Sequence, residues 1–135
     1  MSEVVKNRPR FGVMRLIDAT GYRLPLAGFV SILHRVSGML MFLLLPFILY
    51  LLDKSLTSEI SFAVFQKFTT NVFVKLVILA LAWAYLHHFT AGIRHLFMDL
   101  HMGLDKDSAR KSAVGVLLIS LTLTAVVALK LFGVF

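Results

Sequence analysis

Three long apolar runs alternate with short polar stretches along this chain. The runs lie at about residues 29–52, 72–100 and 113–135. Each run has at least the roughly 20 residues that a helix needs to cross about 30 Å of hydrocarbon. Within lipid, only helices and closed barrels satisfy all of their own backbone hydrogen bonds. The pattern therefore predicts three membrane-spanning helices, and we expect residues 29–135 to form a transmembrane anchor domain.

The segment before the first run has a different pattern. Residues 1–28 mix apolar side chains such as Phe11 and Ile17 with Arg10, Arg15 and Arg23. This mixture is typical of a segment that lies on lipid headgroups, so we expect a cytoplasmic or interfacial arm. An arm that binds a cytoplasmic partner protein is the alternative. We expect no cleavable signal peptide, because the first apolar run begins late and is too long.

The composition supports a membrane protein. Of the 135 residues, 59% are hydrophobic and 16% are charged, against about 45–50% and about 25% in ordinary globular domains. A soluble fold of this size has too little interior to hide that much apolar surface. The composition thus excludes a soluble enzyme and favours an all-α membrane protein. The chain has no cysteine, so it offers no thiolate for a zinc ion or an iron–sulfur cluster.

The distribution of Lys and Arg predicts the orientation in the membrane. The net charge of +7 reflects basic residues that precede the first run and basic residues between the second and third runs. The stretch between the first and second runs has only Lys54 and Lys67, offset by Asp53 and Glu59. By the positive-inside rule the N-terminus is cytoplasmic. In a membrane protein this charge does not point to nucleic acid.

A polar cluster opens the first predicted helix. Ser31, His34 and Arg35 are spaced to share one helical face. An arginine within a span is costly, at about 2.5–3.5 kcal/mol for a central position, so it needs a reason. One reading is a single Arg that extends to the interface. The reading we favour is a site for a lipid-soluble ligand, because a hydroxyl, an imidazole and a guanidinium together bind carbonyl or carboxylate oxygens.

Two adjacent histidines lie near the middle of the second predicted helix. Imidazole at that depth is an iron ligand, a proton relay or part of a hydrogen bond between helices. His88 shares its face with Ala84, Ala91, Gly92 and His95, whereas Trp83 crowds the face of His87. We therefore expect His88 to be a haem ligand and His87 to hydrogen-bond a neighbouring helix. The small residues have a second interpretation, a tight contact between helices.

Two ordered motifs give the chain a family resemblance. The stretch from Ser31 to Gly38 reads Ser-Ile-Leu-His-Arg-Val-Ser-Gly, and His88 is followed by Gly92-Ile-Arg-His95. Together with Arg8-Pro9 and three spans, these motifs closely resemble the cytochrome b556 subunit of bacterial succinate dehydrogenase. The resemblance covers nearly the whole chain. His87 departs from the family pattern, as an additional histidine beside the matching one.

The resemblance implies a function and a set of partners. It implies a membrane anchor of succinate:quinone oxidoreductase in the bacterial inner membrane, which is one half of a two-chain helical bundle. Ser31 and Arg35 match the residues that bind ubiquinone, and His88 matches an axial ligand of haem b. His34, Arg35 and His95 match the region of the haem propionates. The implied partners are a second anchor with the other axial ligand, an iron–sulfur subunit and a flavoprotein.

Two alternatives stay open on the sequence alone. The anchor of a quinol–fumarate reductase uses the same chemistry in the opposite direction. A small proton-coupled transporter that uses His34, Arg35 and His88 as a relay belongs to a different class. Such transporters more usually have an intramembrane carboxylate, and the three predicted spans contain none away from their ends.

Overall fold

The fold is all-α, with three helices of membrane-spanning length. A computed structural model describes residues 12, 17 and 21–134, and within this range there is no strand. The helices are α1 (Leu26–Leu43), α2 (Leu45–Leu56), α3 (Glu59–Thr69), α4 (Val72–Asp99) and α5 (Lys106–Leu131). By length and composition, α1, α4 and α5 are each able to cross a bilayer. The prediction of an all-α membrane protein is confirmed, whereas most of the predicted interfacial arm lies outside the described residues.

The first predicted span is interrupted. Residues 29–52 were expected to form one helix, but α1 ends at Leu43 and α2 begins at Leu45. Leu44 between them has φ −92° and ψ 4°, outside helical geometry. Pro46 lies in the first turn of α2. Proline has no backbone N–H, and its ring clashes with the carbonyl four residues earlier, so the helix bends just before it.

The stretch between the first two predicted spans contains a helix that the sequence pattern did not predict. Ser58 caps the N-terminus of α3, because its hydroxyl accepts the N–H of Ser61 while the Ser61 hydroxyl accepts the N–H of Ser58. Ser61 also donates to the carbonyl of Lys54 and so ties α3 to α2. At 11 residues α3 is too short to span a bilayer, which is why a search for long apolar runs misses it.

The third span begins earlier than predicted. The apolar run starts near residue 113, but α5 begins at Lys106. Asp105 caps this helix by accepting the N–H of Ser108 at 2.9 Å. Two charged turns therefore precede the apolar part of α5. By contrast, α4 begins and ends within one residue of its predicted bounds.

Small residues pack the three long helices around α4. The buried cluster consists of Val30 from α1, Ala91 from α4, and Ala113 and Val116 from α5. Small side chains let helix backbones approach closely, which is how helices associate where lipid removes the hydrophobic driving force. Most large apolar side chains point outward, for example Phe42 at 74% exposure. The contact of α4 with α1 on one side and α5 on the other determines where its histidines point.

Candidate functional site

The two adjacent histidines of α4 contact different helices. His87 is fully buried, and its Nδ1 lies 3.4 Å from the hydroxyl oxygen of Ser120 on α5. Its ring stacks on that of Trp83, with centroids 5.4 Å apart. The contact with Ser120 confirms the prediction that His87 bonds a neighbouring helix. Its Nε2 has no hydrogen-bond partner among the described residues, although the carbonyl of Val30 approaches the ring.

His88 faces α1. Its Nδ1 lies 2.9 Å from the backbone carbonyl oxygen of His34 and 3.3 Å from the hydroxyl oxygen of Ser37. A carbonyl oxygen only accepts, so Nδ1 is the protonated nitrogen in this contact. The Ser37 hydroxyl donates to the same carbonyl at 2.8 Å. Nε2 of His88 consequently holds the lone pair of the neutral ring.

Three imidazoles from α1 and α4 form a contiguous group, here called the histidine cluster. It consists of His34, His88 and His95. The rings of His34 and His88 are stacked, with centroids 4.1 Å apart and 19° between their planes. The ring of His95 lies 5.0 Å from that of His34. Nε2 of His95 is buried and has no hydrogen-bond partner among residues 21–134. The prediction that His88 and His95 share a face is confirmed.

The glycine closest to His88 is on α1. A Cβ built on Gly38 would lie 2.9 Å from Cε1 of His88, closer than real Cβ atoms approach. A Cβ on Gly92 would lie 3.7 Å from Nε2 of His34, an ordinary contact. Ala84 and Ala91, which were expected to clear space beside His88, are fully buried, and Ala91 belongs to the packing cluster between helices. The alternative interpretation of Ala91, a tight helix contact, is therefore the correct one.

Ser31 and Arg35 lie one turn apart on α1, on either side of His34 in sequence. Arg35 is exposed and Ser31 is half-buried. Neither side chain has a hydrogen bond or an ion pair within the described part of the chain. The structure thus leaves a hydroxyl and a guanidinium available to a ligand near the cluster, at the end of the bundle where α1 and α5 both begin. A cavity shared by Pro25, Leu26 and Arg110 shows that these two helix starts are neighbours.

Arg94 has a structural environment that the sequence did not predict. We expected a residue at the membrane boundary, but its side chain is only 6% exposed. Its Nε donates to the Ser112 hydroxyl at 2.9 Å, and Nη2 lies 3.5 Å from the carbonyl of Ala109. Arg94 therefore links α4 to the second turn of α5. The sequence gave no signal for this contact, because these turns of α5 precede the apolar run.

Comparison with known proteins identifies the family of the chain. The model of the succinate dehydrogenase/fumarate reductase transmembrane subunit matches residues 8–127. The chain belongs to this family. The resemblance found in the two sequence motifs is confirmed, and the chain is a membrane-anchor subunit of a succinate dehydrogenase complex, that is, one part of an enzyme.

Curated relatives of this transmembrane subunit agree with the assignment. A succinate dehydrogenase cytochrome b556 subunit from Coxiella burnetii is 37% identical over 105 residues, which cover 77% of this chain and 84% of the relative. The subunit of the same name from Paracoccus denitrificans is 34% identical over 84% of this chain and 87% of its own length. The one from Rickettsia felis is 27% identical over 76% and 80%. The matches cover most of each relative, so the similarity extends through all three spans.

Proposed function

We propose that this anchor subunit provides His88 as one axial ligand of haem b, and Ser31 and Arg35 to the site of ubiquinone reduction. The observation that supports the haem assignment is the bond from Nδ1–H of His88 to the carbonyl of His34 at 2.9 Å. Ligating histidines almost always donate their other ring N–H to a carbonyl or a carboxylate. The bond leaves the lone pair on Nε2, which is the form that binds iron.

The names of the relatives and the residues of the cluster are both consistent with haem. All three relatives are called cytochrome b556 subunits. No described residue hydrogen-bonds Nε2 of His88. His87, the other imidazole at this depth, is enclosed against α5 and has no space for a macrocycle. When bound, haem b supplies reversible one-electron transfer.

The other cluster residues suit the acidic edge of such a group. Nε2 of His95 is buried without a partner, and a buried polar atom left unpaired costs about 1–3 kcal/mol. A haem propionate would satisfy it. His34 contacts both His88 and His95, and the adjacent Arg35 offers a positive charge. We therefore assign His34, Arg35 and His95 to the propionate region.

Ser31 and Arg35 suit the chemistry of a quinone. The Ser31 hydroxyl is able to donate to a quinone carbonyl oxygen, and the Arg35 guanidinium stabilises negative charge that develops on that oxygen during reduction. Reduction of ubiquinone to ubiquinol takes two electrons and two protons. The electrons come from succinate, oxidised at the flavin of one partner and passed through the iron–sulfur subunit.

A second membrane anchor completes this assignment. His88 is the only imidazole of the described chain with the tautomer and position of an axial ligand, so the second ligand comes from another chain. Basic residues are concentrated at the end where α1 and α5 begin, including Arg23, Lys106 and Lys111. The positive-inside rule puts that end, and the N-terminus, on the cytoplasmic side of the inner membrane.

Reduced-minus-oxidised absorption of the purified complex tests the proposal. A b-type spectrum that disappears in His88→Leu but persists in His87→Leu is the expected result. A colourless wild-type complex would contradict it and would favour a relay of His34, Arg35 and His88 in a proton-coupled transporter.

A further inference from the structure

We propose that Ser37 and Gly38 of α1 are positioning residues that fix the direction of the His88 imidazole. Together they form what we call the α1 seat. The inference rests on the proposed role of His88 as a haem ligand, and it assigns to two residues of α1 a part in holding a ligand that belongs to α4. Three separate contacts support it.

The first contact is at the Cε1 edge of the ring. A Cβ on residue 38 would lie 2.9 Å from Cε1 and 3.2 Å from Nδ1 of His88. Side chains sit in a few rotamers that the backbone allows, so a displaced ring moves to a different direction rather than shifting slightly. Glycine at residue 38 is therefore required for the ring to stay where it is. Its role is close approach, because it lies within a regular helix.

The second contact is at Nδ1. Ser37 is fully buried, and its hydroxyl donates to the His34 carbonyl at 2.8 Å while its oxygen lies 3.3 Å from Nδ1 of His88. The carbonyl and the hydroxyl oxygen thus lie on the same nitrogen from two directions. One acceptor alone permits the ring to swing about the N–H bond. Two acceptors restrict that movement.

The third contact is on the face of the ring. The imidazole of His34 stacks on that of His88 at 4.1 Å. An edge, a polar nitrogen and a face of one ring are thereby all contacted by α1. A histidine side chain has two rotatable torsions, so these contacts determine both. The direction of Nε2, the atom that would meet iron, is consequently set by α1 and not by α4 alone.

Alanine substitution at three glycines tests the seat in the complete purified complex. Gly38→Ala is compared with Gly115→Ala, whose Cβ would meet no atom within 4 Å, and with Gly92→Ala, whose Cβ would make one ordinary contact. All three glycines are inside helices, so each change brings the same gain in helix propensity. We expect Gly38→Ala to retain haem about tenfold less well, because loss of outer-shell support lowers metal affinity about 10–100-fold. The two controls keep wild-type haem content.

A matched pair of serines provides the second test. Ser37 and Ser120 are both fully buried, and each hydroxyl lies beside Nδ1 of one of the adjacent histidines. In Ser37→Ala we expect broadened electron paramagnetic resonance of the oxidised haem and a shifted reduction potential. In Ser120→Ala we expect both signals to be unchanged. These readouts report the ligand ring, and a general loss of helix packing would affect both variants alike.

The outcomes separate the seat from the proposed function. If His88→Leu keeps a normal low-spin haem, the axial assignment itself is wrong. If His88→Leu loses it while Gly38→Ala and Ser37→Ala keep wild-type haem content, resonance and potential, His88 is the ligand but the seat is wrong. If Gly38→Ala fails to assemble, the Ser37→Ala and Ser120→Ala pair still decides, and equal effects in that pair overturn the proposal.

Discussion

His34 and His88 lie face to face across the contact between α1 and α4, with ring centroids 4.1 Å apart. The backbone of His34 also accepts the Nδ1–H of His88. One turn of α1 thus holds the proposed haem ligand, while the flanking Ser31 and Arg35 are available to a quinone. The two proposed sites consequently share one helix, and substitutions in α1 should be sorted by whether they change haem, quinone reduction or both.

Replacement of the two adjacent histidines should have opposite effects on haem. We expect His88→Leu to leave the complex with haem absent or high-spin, because no other described imidazole presents a free Nε2 toward α1. His87→Leu should keep the low-spin spectrum, since His87 faces Ser120 on α5. Optical spectra of the oxidised and reduced complex measure both. A low-spin spectrum that survives in His88→Leu and is lost in His87→Leu would move the ligand by one residue.

Substitution of Arg35 should impair quinone reduction selectively. A hydrogen bond to a charged group is worth about 1.5–3 kcal/mol, so we expect Arg35→Leu to lower quinone reductase activity roughly ten- to a hundredfold. Succinate oxidation with a soluble artificial acceptor should change little. Ser31→Ala should show the same selectivity with a smaller effect, about two- to tenfold, because one neutral hydrogen bond is worth roughly 0.5–1.5 kcal/mol.

Arg110→Leu is the control for the loss of a cation at this end of the bundle. Arg110 is exposed on α5, near the start of α1. We expect the Arg110→Leu complex to keep both activities. Equal loss of both activities in Arg35→Leu would indicate failed assembly and would count against a local role in the quinone site.

The sequence predicts those features that depend on one helix at a time. The length of an apolar run and its polar ends predict the bounds of α4 to within one residue. Helical periodicity separates His87 from His88, and the structure confirms that they contact different helices. Pro46 marks the place where the first span bends. Each of these follows from local geometry alone.

Features that depend on how two helices meet are not predicted. Gly38 against His88 and Arg94 against Ser112 both require the register of one helix on another, which no spacing within a single helix determines. The early start of α5 depends on a cap at Asp105, seven residues or more before the first apolar position. The motif from Ser31 to Gly38 did contain the seat residues, but their role is evident only when His88 lies beside them.

A larger side chain at Ala91 should destabilise the bundle. Ala91 is fully buried where α1, α4 and α5 meet, against Val30 and Ala113. Overpacking a well-packed core typically costs about 1–3 kcal/mol, so we expect Ala91→Leu to lower the thermal midpoint of the purified complex. Ala80→Leu is the control, because Ala80 is an exposed residue of the same helix. Equal midpoints in the two variants would show that Ala91 is not a tight contact.

The cap of α5 should lose strength in acid. Asp105 accepts the N–H of Ser108, and this bond holds the pKa of the carboxyl below its ordinary value of 3.8. A group whose pKa is depressed by folding stabilises the folded state above its ordinary pKa, and that stabilisation is lost as the pH falls through the folded-state value. We therefore expect the amide of Ser108 to keep constant protection against hydrogen exchange from neutral pH to about pH 5, and to lose protection toward about pH 3. Mass spectrometry of the complex, corrected for intrinsic exchange rates, measures this. Asp105→Asn is the matched variant, because asparagine caps a helix as well as aspartate but does not titrate. Its protection should not vary with pH, and an identical loss in both proteins would show that another group controls the start of α5.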